Sequence, residues 1–177
     1  EVGIKDAYLK VYPMTGYGNP NTLRQILDIE KPDAILHFTD PRFWIWLYNM
    51  EHELRQDIPI MYYNIWDDLP DPMYNRDYYR SSDLLMAISK QTYGINKRVL
   101  DGQGYDDWQI SYIPHGISER RFSKIEDKGD TKFKEFEQKY GFDKYKFKIL
   151  YSNRNIRRKS PGDVALAYKH FMDSLTK

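Results

Sequence analysis

The chain has 177 residues and a mass of 21.3 kDa, enough for one medium domain or for parts of two. Its 27 Lys and Arg against 26 Asp and Glu leave a net charge of +1, which argues against a globally basic nucleic-acid binder and against an acidic disordered tail. With 41% hydrophobic residues and no cysteine, it can build a core but no disulfide, thiolate metal site or cysteine nucleophile.

In chain order, Tyr8 to Tyr12 (YLKVY) reads as a short strand and Gly16 to Asn21 as a turn. Asn21 is placed to cap a helix with Leu23, Ile26 and Leu27 on its apolar face, and Lys31-Pro32 ends it. Asp33 to Phe38 is an apolar strand. Asp40-Pro41 then opens a helix, a carboxylate cap followed by proline at the first position, with Phe43, Leu47, Met50 and Leu54 at helical spacing. The pattern repeats: strand Ile58 to Tyr63, an acidic loop Ile65 to Met73, strand Leu84 to Ile88, Ser89 as cap, and a helix to Leu100 that Gly94 weakens. Gln109 to Ile113 is a short strand ending at Pro114-His115-Gly116. Thr131 to Tyr140 is an amphipathic helix stopped by Gly141, Phe147 to Ser152 is a strand, and Val164 to Leu175 is a helix. The longest apolar run, Phe43 to Tyr48, has six residues, so no membrane span is expected. No secretory signal opens the chain, and the expectation is a cytoplasmic protein.

Strands alternating with helices predict an α/β fold, Rossmann-like, with parallel sheets covered on both faces. Charge divides the chain. Residues 1–122 hold 13 basic and 18 acidic residues, and 123–177 hold 14 and 8. The expected organisation is therefore a first domain over 1–122, a linker and helix over 123–145, and the start of a second domain over 146–177, with the polar stretch Ser123 to Asp130 at the joint.

In open parallel sheets, ligands bind beyond the C-terminal ends of the strands. That rule selects His37–Asp40, Asn64–Asp68, Ser89, His115–Gly116 and Asn153–Lys159. The last, NRNIRRK, carries four cations before a helix whose start reads as Ser160 cap, Pro161 at the first position and Asp163 in a capping-box position. Free N–H groups at a helix start, joined by Arg and Lys, suit a phosphate or diphosphate; a solvated basic loop or a nonspecific nucleic-acid contact is the plainer reading.

The string YSNRNIRRKS, after an IPHG turn and a polar linker, resembles the nucleotide-sugar glycosyltransferases with two Rossmann-like domains (the GT-B fold), and most of all the retaining group that includes glycogen synthase. Arg154 and Lys159 match the family's Arg and Lys, which hold the donor diphosphate. Lys31-Pro32-Asp33-Ala34-Ile35, Ser82-Asp83 with Ala87-Ile88-Ser89, and Tyr112 to Ile117 followed by Phe122 match further family segments in order. The wording of the chain also looks like transferases carried by bacteriophages and other viruses. The resemblance implies transfer of a sugar from a nucleotide-sugar donor to a glycan or lipid-linked saccharide. Arg154 and Lys159 would be catalytic, with Ser160, His115 and Gly116 joining them at the donor and His37, Asp40, Trp66 and Asp67 at the acceptor. It implies no metal or other cofactor. Two features depart from the family: no Glu follows Glu137, so its pair of glutamates eight apart has no counterpart, and its opening strand and glycine-rich loop are not evident. The chain thus reads as a central piece of a transferase.

Plainer roles stand beside these. His37 suits packing at a strand end, Asp40 suits helix capping, and Gly116 suits either a structural turn or close backbone approach. Trp66 with Asp67 suits a saccharide, a ring for its face and a carboxylate for its hydroxyls. Asp67, Asp68 and Asp71 are the carboxylates able to hold a hard cation, although the four histidines show no ligand spacing. The rival function is a non-catalytic module that binds an anion, a nucleotide or RNA through Arg154–Lys159. A third reading has two chains completing each other's second domain as a homodimer.

Overall fold

Apolar strands alternating with helices build one four-stranded parallel sheet. In the computed structural model, residues 8–101, 105–124 and 130–175 are described. They fall into two compact units, Glu1–Ile117 and Ser118–Lys177.

The first unit begins with α1 (Pro20–Glu30), capped by the Asn19 side chain, which accepts from the Thr22 N–H at 3.0 Å. The cap is thus Asn19 rather than Asn21, because Pro20 takes the first helical position, where a missing N–H costs nothing. Lys31 closes the helix in the left-handed region at φ 45°. Strands β1 (Ile35–Phe38), β2 (Ile60–Asn64), β3 (Leu84–Ala87) and β4 (Ile110–Tyr112) follow and lie side by side in sequence order, all parallel. His37 sits opposite Tyr62, Tyr62 opposite Leu85, and Leu85 opposite Ile110.

The connections are α2 (Ile45–Tyr48) and α3 (Glu51–Leu54), then α4 (Arg76–Arg80), then α5 (Lys90–Leu100). The single helix expected from Asp40 is instead a 3-10 turn, Pro41–Trp44, followed by two one-turn helices. Asp40 does cap, but Trp, Ile and Tyr lose side-chain freedom in a helix, which weakens its continuation. Ser89 caps α5 through the Thr92 N–H at 3.0 Å, and Gly94 is carried within that helix.

Leu47, Met50, Leu54 and Ile60 form one buried cluster; Tyr62, Tyr79, Leu85, Ile95, Val99, Leu100 and Ile110 form another. Both lie on the sheet face of Tyr62 and Leu85. The opposite face carries Leu36 and Phe38, 57% and 52% exposed, and the half-buried Met61, Tyr63 and Met86. Among the described residues of the first unit, then, helices cover one face of the sheet rather than two. When consecutive strands add always on the same side, right-handed crossovers lay every connecting helix on one face. The Ser82-Asp83 pair belongs to this frame. Asp83 accepts from the Ile60 N–H at 2.8 Å and from Arg55, while its own N–H reaches the Ile60 carbonyl at 2.7 Å. It clasps the starts of β2 and β3 at the end of the sheet remote from the site.

No strand forms over Tyr8 to Tyr12; these residues are exposed or half-buried, and Lys10 and Tyr12 both bond to Glu30.

The second unit holds α6 (Thr131–Lys139), capped by Asp130 and stopped at Gly141 with φ 68°, and α7 (Pro161–Leu175). Between them, Phe147 to Ser152 is not a strand. A strand exists only against a hydrogen-bonded neighbour, and no other segment among the described residues of this unit supplies one. Part of the expected joint, 125–129, lies outside the described residues. No helix among the described residues is long and apolar enough to cross a membrane.

Candidate functional site at the ends of the parallel strands

In the first unit the strand ends gather most of the residues singled out by sequence. His37 is buried, 3% exposed, on the helix-covered face. Its ring stacks on Tyr62 with centroids 4.8 Å apart, and Nδ1 lies 2.6 Å from the Tyr48 hydroxyl. Burial, opposed by the charge of Asp40, pulls the imidazole down to about 4, so it is neutral near pH 7. In this position His37 fills the core and presents no edge to a ligand.

Asp40 accepts from the Arg42 N–H at 3.0 Å and holds the Arg42 guanidinium at 2.6 Å. That ion pair keeps its carboxyl below the usual carboxylate range. Arg42 in turn lies 6.0 Å over the Trp66 ring, which Tyr74 meets edge-on at 5.9 Å. The indole N–H donates to the Asp68 carbonyl at 2.9 Å. Trp66 is therefore half-buried and pinned, whereas Asp67 beside it is exposed. Asp71 is taken by Arg98 at 2.6 Å, which holds it low. Among the described residues no three His, Cys, Asp or Glu gather where they could hold a metal ion.

What fixes the Trp66–Asp68 loop is Asn64, the buried last residue of β2. Its Oδ1 accepts from the Trp66 N–H at 3.0 Å; its Nδ2 donates to the Tyr79 hydroxyl at 2.9 Å and to Asn96 Oδ1 at 2.6 Å. Thr92 adds a bond to the Trp66 carbonyl at 2.7 Å. A buried amide that spends both ends on fixed partners sets the loop path. The sequence signal was an Asn closing the apolar run IPIMYY, and its role depends on Tyr79 and Asn96, which are distant in sequence.

His115 follows β4 and is exposed. It stacks on Tyr63 at 5.3 Å and meets Phe38 at 6.0 Å, on the uncovered side of the sheet. Gly116 does not adopt a positive φ, and a Cβ there would meet nothing within 4 Å, so its fold alone does not demand glycine.

The second unit carries the basic loop. Arg154, Arg157 and Arg158 are exposed, Lys159 is half-buried, and none of the four forms an ion pair among the described residues. Arg157–Lys159 makes a 3-10 turn, and Tyr151 donates to the Lys159 carbonyl. Ser160 departs from its expected role: at φ 43°, its hydroxyl reaches back to the Arg157 carbonyl at 3.4 Å instead of capping α7. An N-cap accepts from the helix only from extended backbone, and the tight turn before Ser160 removes that option. Its carbonyl still accepts from the N–H groups of Asp163 and Val164. Beside this loop, an apolar groove of about 780 Å³ runs between 145–151 and α7, lined by Phe147, Ile149, Tyr168 and Phe171 among others.

Comparison with family models, with curated proteins and with solved structures finds no match to this chain.

Proposed function

We propose that the chain is part of a glycosyltransferase of the GT-B type, moving a sugar from a nucleotide-sugar donor to a glycan or lipid-linked saccharide. The observation that carries the reading is the cluster of four cations without ion-pair partners among the described residues, immediately before the 15-residue helix α7. The ordered motif resemblance and the polar residues at the strand ends support it. In this reading the bond between the sugar's anomeric carbon and the diphosphate oxygen breaks, its electrons stay on that oxygen, and the acceptor hydroxyl bonds to the carbon as it loses its proton. Arg154 and Lys159 stabilise the charge that grows on the diphosphate, so the reading calls for no metal. Asp67, exposed where Asp40 is occupied, is the freer carboxylate for acceptor hydroxyls.

The test is titration with UDP and GDP of the intact chain and of Lys159→Ala and Arg154→Ala. Saturable, base-selective binding, weakened at least about tenfold in either variant at unchanged thermal stability, is the expected result. Equal loss of binding and stability, or unchanged binding, overturns it. The same cations favour a second reading, a non-catalytic anion- or RNA-binding module. Four phosphate contacts to single-stranded RNA would give a slope of log affinity against log salt near about −3, with no base-selective nucleotide binding.

A further inference from the structure

We infer that Tyr63 is a positioning residue that holds neutral His115 in its Nδ1–H tautomer, so that Nε2 stands as a bare acceptor for a ligand hydroxyl at the ends of the strands. The count of protons decides the tautomer. The Tyr63 oxygen lies 2.7 Å from the Ile113 carbonyl oxygen and 3.1 Å from His115 Nδ1. A carbonyl has no proton to give, so the shorter contact uses the one phenolic proton. The phenolic oxygen is then an acceptor towards the imidazole, and Nδ1 must carry the proton. With the proton on Nε2 instead, two lone pairs would face each other at 3.1 Å.

Three strand ends build this arrangement. Phe38 follows from β1, Tyr63 from β2 and His115 from β4, with ring centroids 5.5 Å (Phe38–Tyr63), 5.3 Å (Tyr63–His115) and 6.0 Å (Phe38–His115) apart. The stack fixes the plane of the imidazole and the hydroxyl fixes its proton, which is how a histidine is committed to one role. Phe38 and His115 are exposed and Tyr63 is half-buried, so the trio borders solvent on the uncovered side. A ring face beside a lone-pair nitrogen suits a ligand with an apolar face and hydroxyl donors, the chemistry of a saccharide. That ligand class rests on the transferase reading; the tautomer does not.

Nitrogen-15 NMR of the imidazoles in the full chain, at a pH high enough that the nitrogen shifts no longer change, reads the tautomer directly, with His115→Gln assigning the signal. The expected spectrum has a protonated Nδ1 and a bare Nε2. Tyr63→Phe keeps the ring stack and should return His115 to the mixture dominated by Nε2–H that is usual for an unconstrained histidine side chain. A wild-type Nε2–H signal overturns the inference, as does a Tyr63→Phe spectrum identical to wild type. Should Tyr63→Phe fail to fold, the wild-type spectrum alone decides. Titration with methyl α-D-glucopyranoside should shift Nε2 of His115. No shift up to its solubility limit overturns the saccharide assignment, and a nucleotide titration that still binds through Lys159 shows that failure to be separate from failure of the transferase reading.

Discussion

In the first unit Leu85 and Ile95 are wholly buried between the sheet and its helices; in the second, Phe147 and Leu150 are 70% and 89% exposed, and no described residue there is buried. Both segments carry the same kind of message in sequence, an apolar run followed by a serine placed to cap a helix. The difference is partnership. Ile60 to Asn64 has a strand on each side, so its alternate side chains find a helix layer; Phe147 to Ser152 has none among the described residues and keeps its apolar groups at a groove. Helix–strand patterning names the elements, whereas long-range pairing decides which of them acquire a core.

The largest contrast should appear in truncation. Leu85→Ala leaves a cavity beneath the sheet and is expected to cost about 3 kcal/mol, against less than about 0.5 kcal/mol for Leu150→Ala, both read from urea unfolding. Similar losses at the two sites would erase the comparison.

Next comes pH. The unfolded His37 imidazole takes its proton near 6.5 and the folded one only near 4, so between these values the unfolded chain binds more protons. Stability is therefore full above about pH 6.5 and falls as pH drops towards 4, by about 3 kcal/mol at most. His37→Gln should remove this part of the pH dependence; an unchanged profile contradicts the buried, neutral histidine.

The smallest contrast lies in two serines that look alike in sequence. Ser89→Ala removes a working cap and should cost about 1 kcal/mol, while Ser160→Ala removes none and should cost less than about 0.5 kcal/mol. Thermal unfolding of the pair reads the difference.

These serines also mark how far the sequence reaches. Asp40 and Ser89 could be recognised as caps because the residues that use them lie within three positions. The four parallel strands were legible from their apolar runs and bounding turns. The one-sided cover was not, because it follows from strand order rather than from any segment. Within the candidate site, Trp66, Asp67 and His115 stood out by type and by position at strand ends. Asn64 lay within the strand-end range but with no role assigned, and Tyr63 lay outside it, since their roles come from Tyr79, Asn96 and Ile113, brought close only by the fold. Asp40 showed the reverse: its carboxylate looked available until Arg42 was seen to occupy it.

Native-state amide hydrogen exchange on the full chain tests the contrast between the two units most directly. The amides of β2, β3 and α5 should exchange only through global unfolding, with protection equal to the stability measured in urea, while those of α6 and α7 should exchange by local opening at far lower protection. Protection in α7 as high as that in β3 would contradict the account, because it would require around that helix a core of the kind found in the first unit.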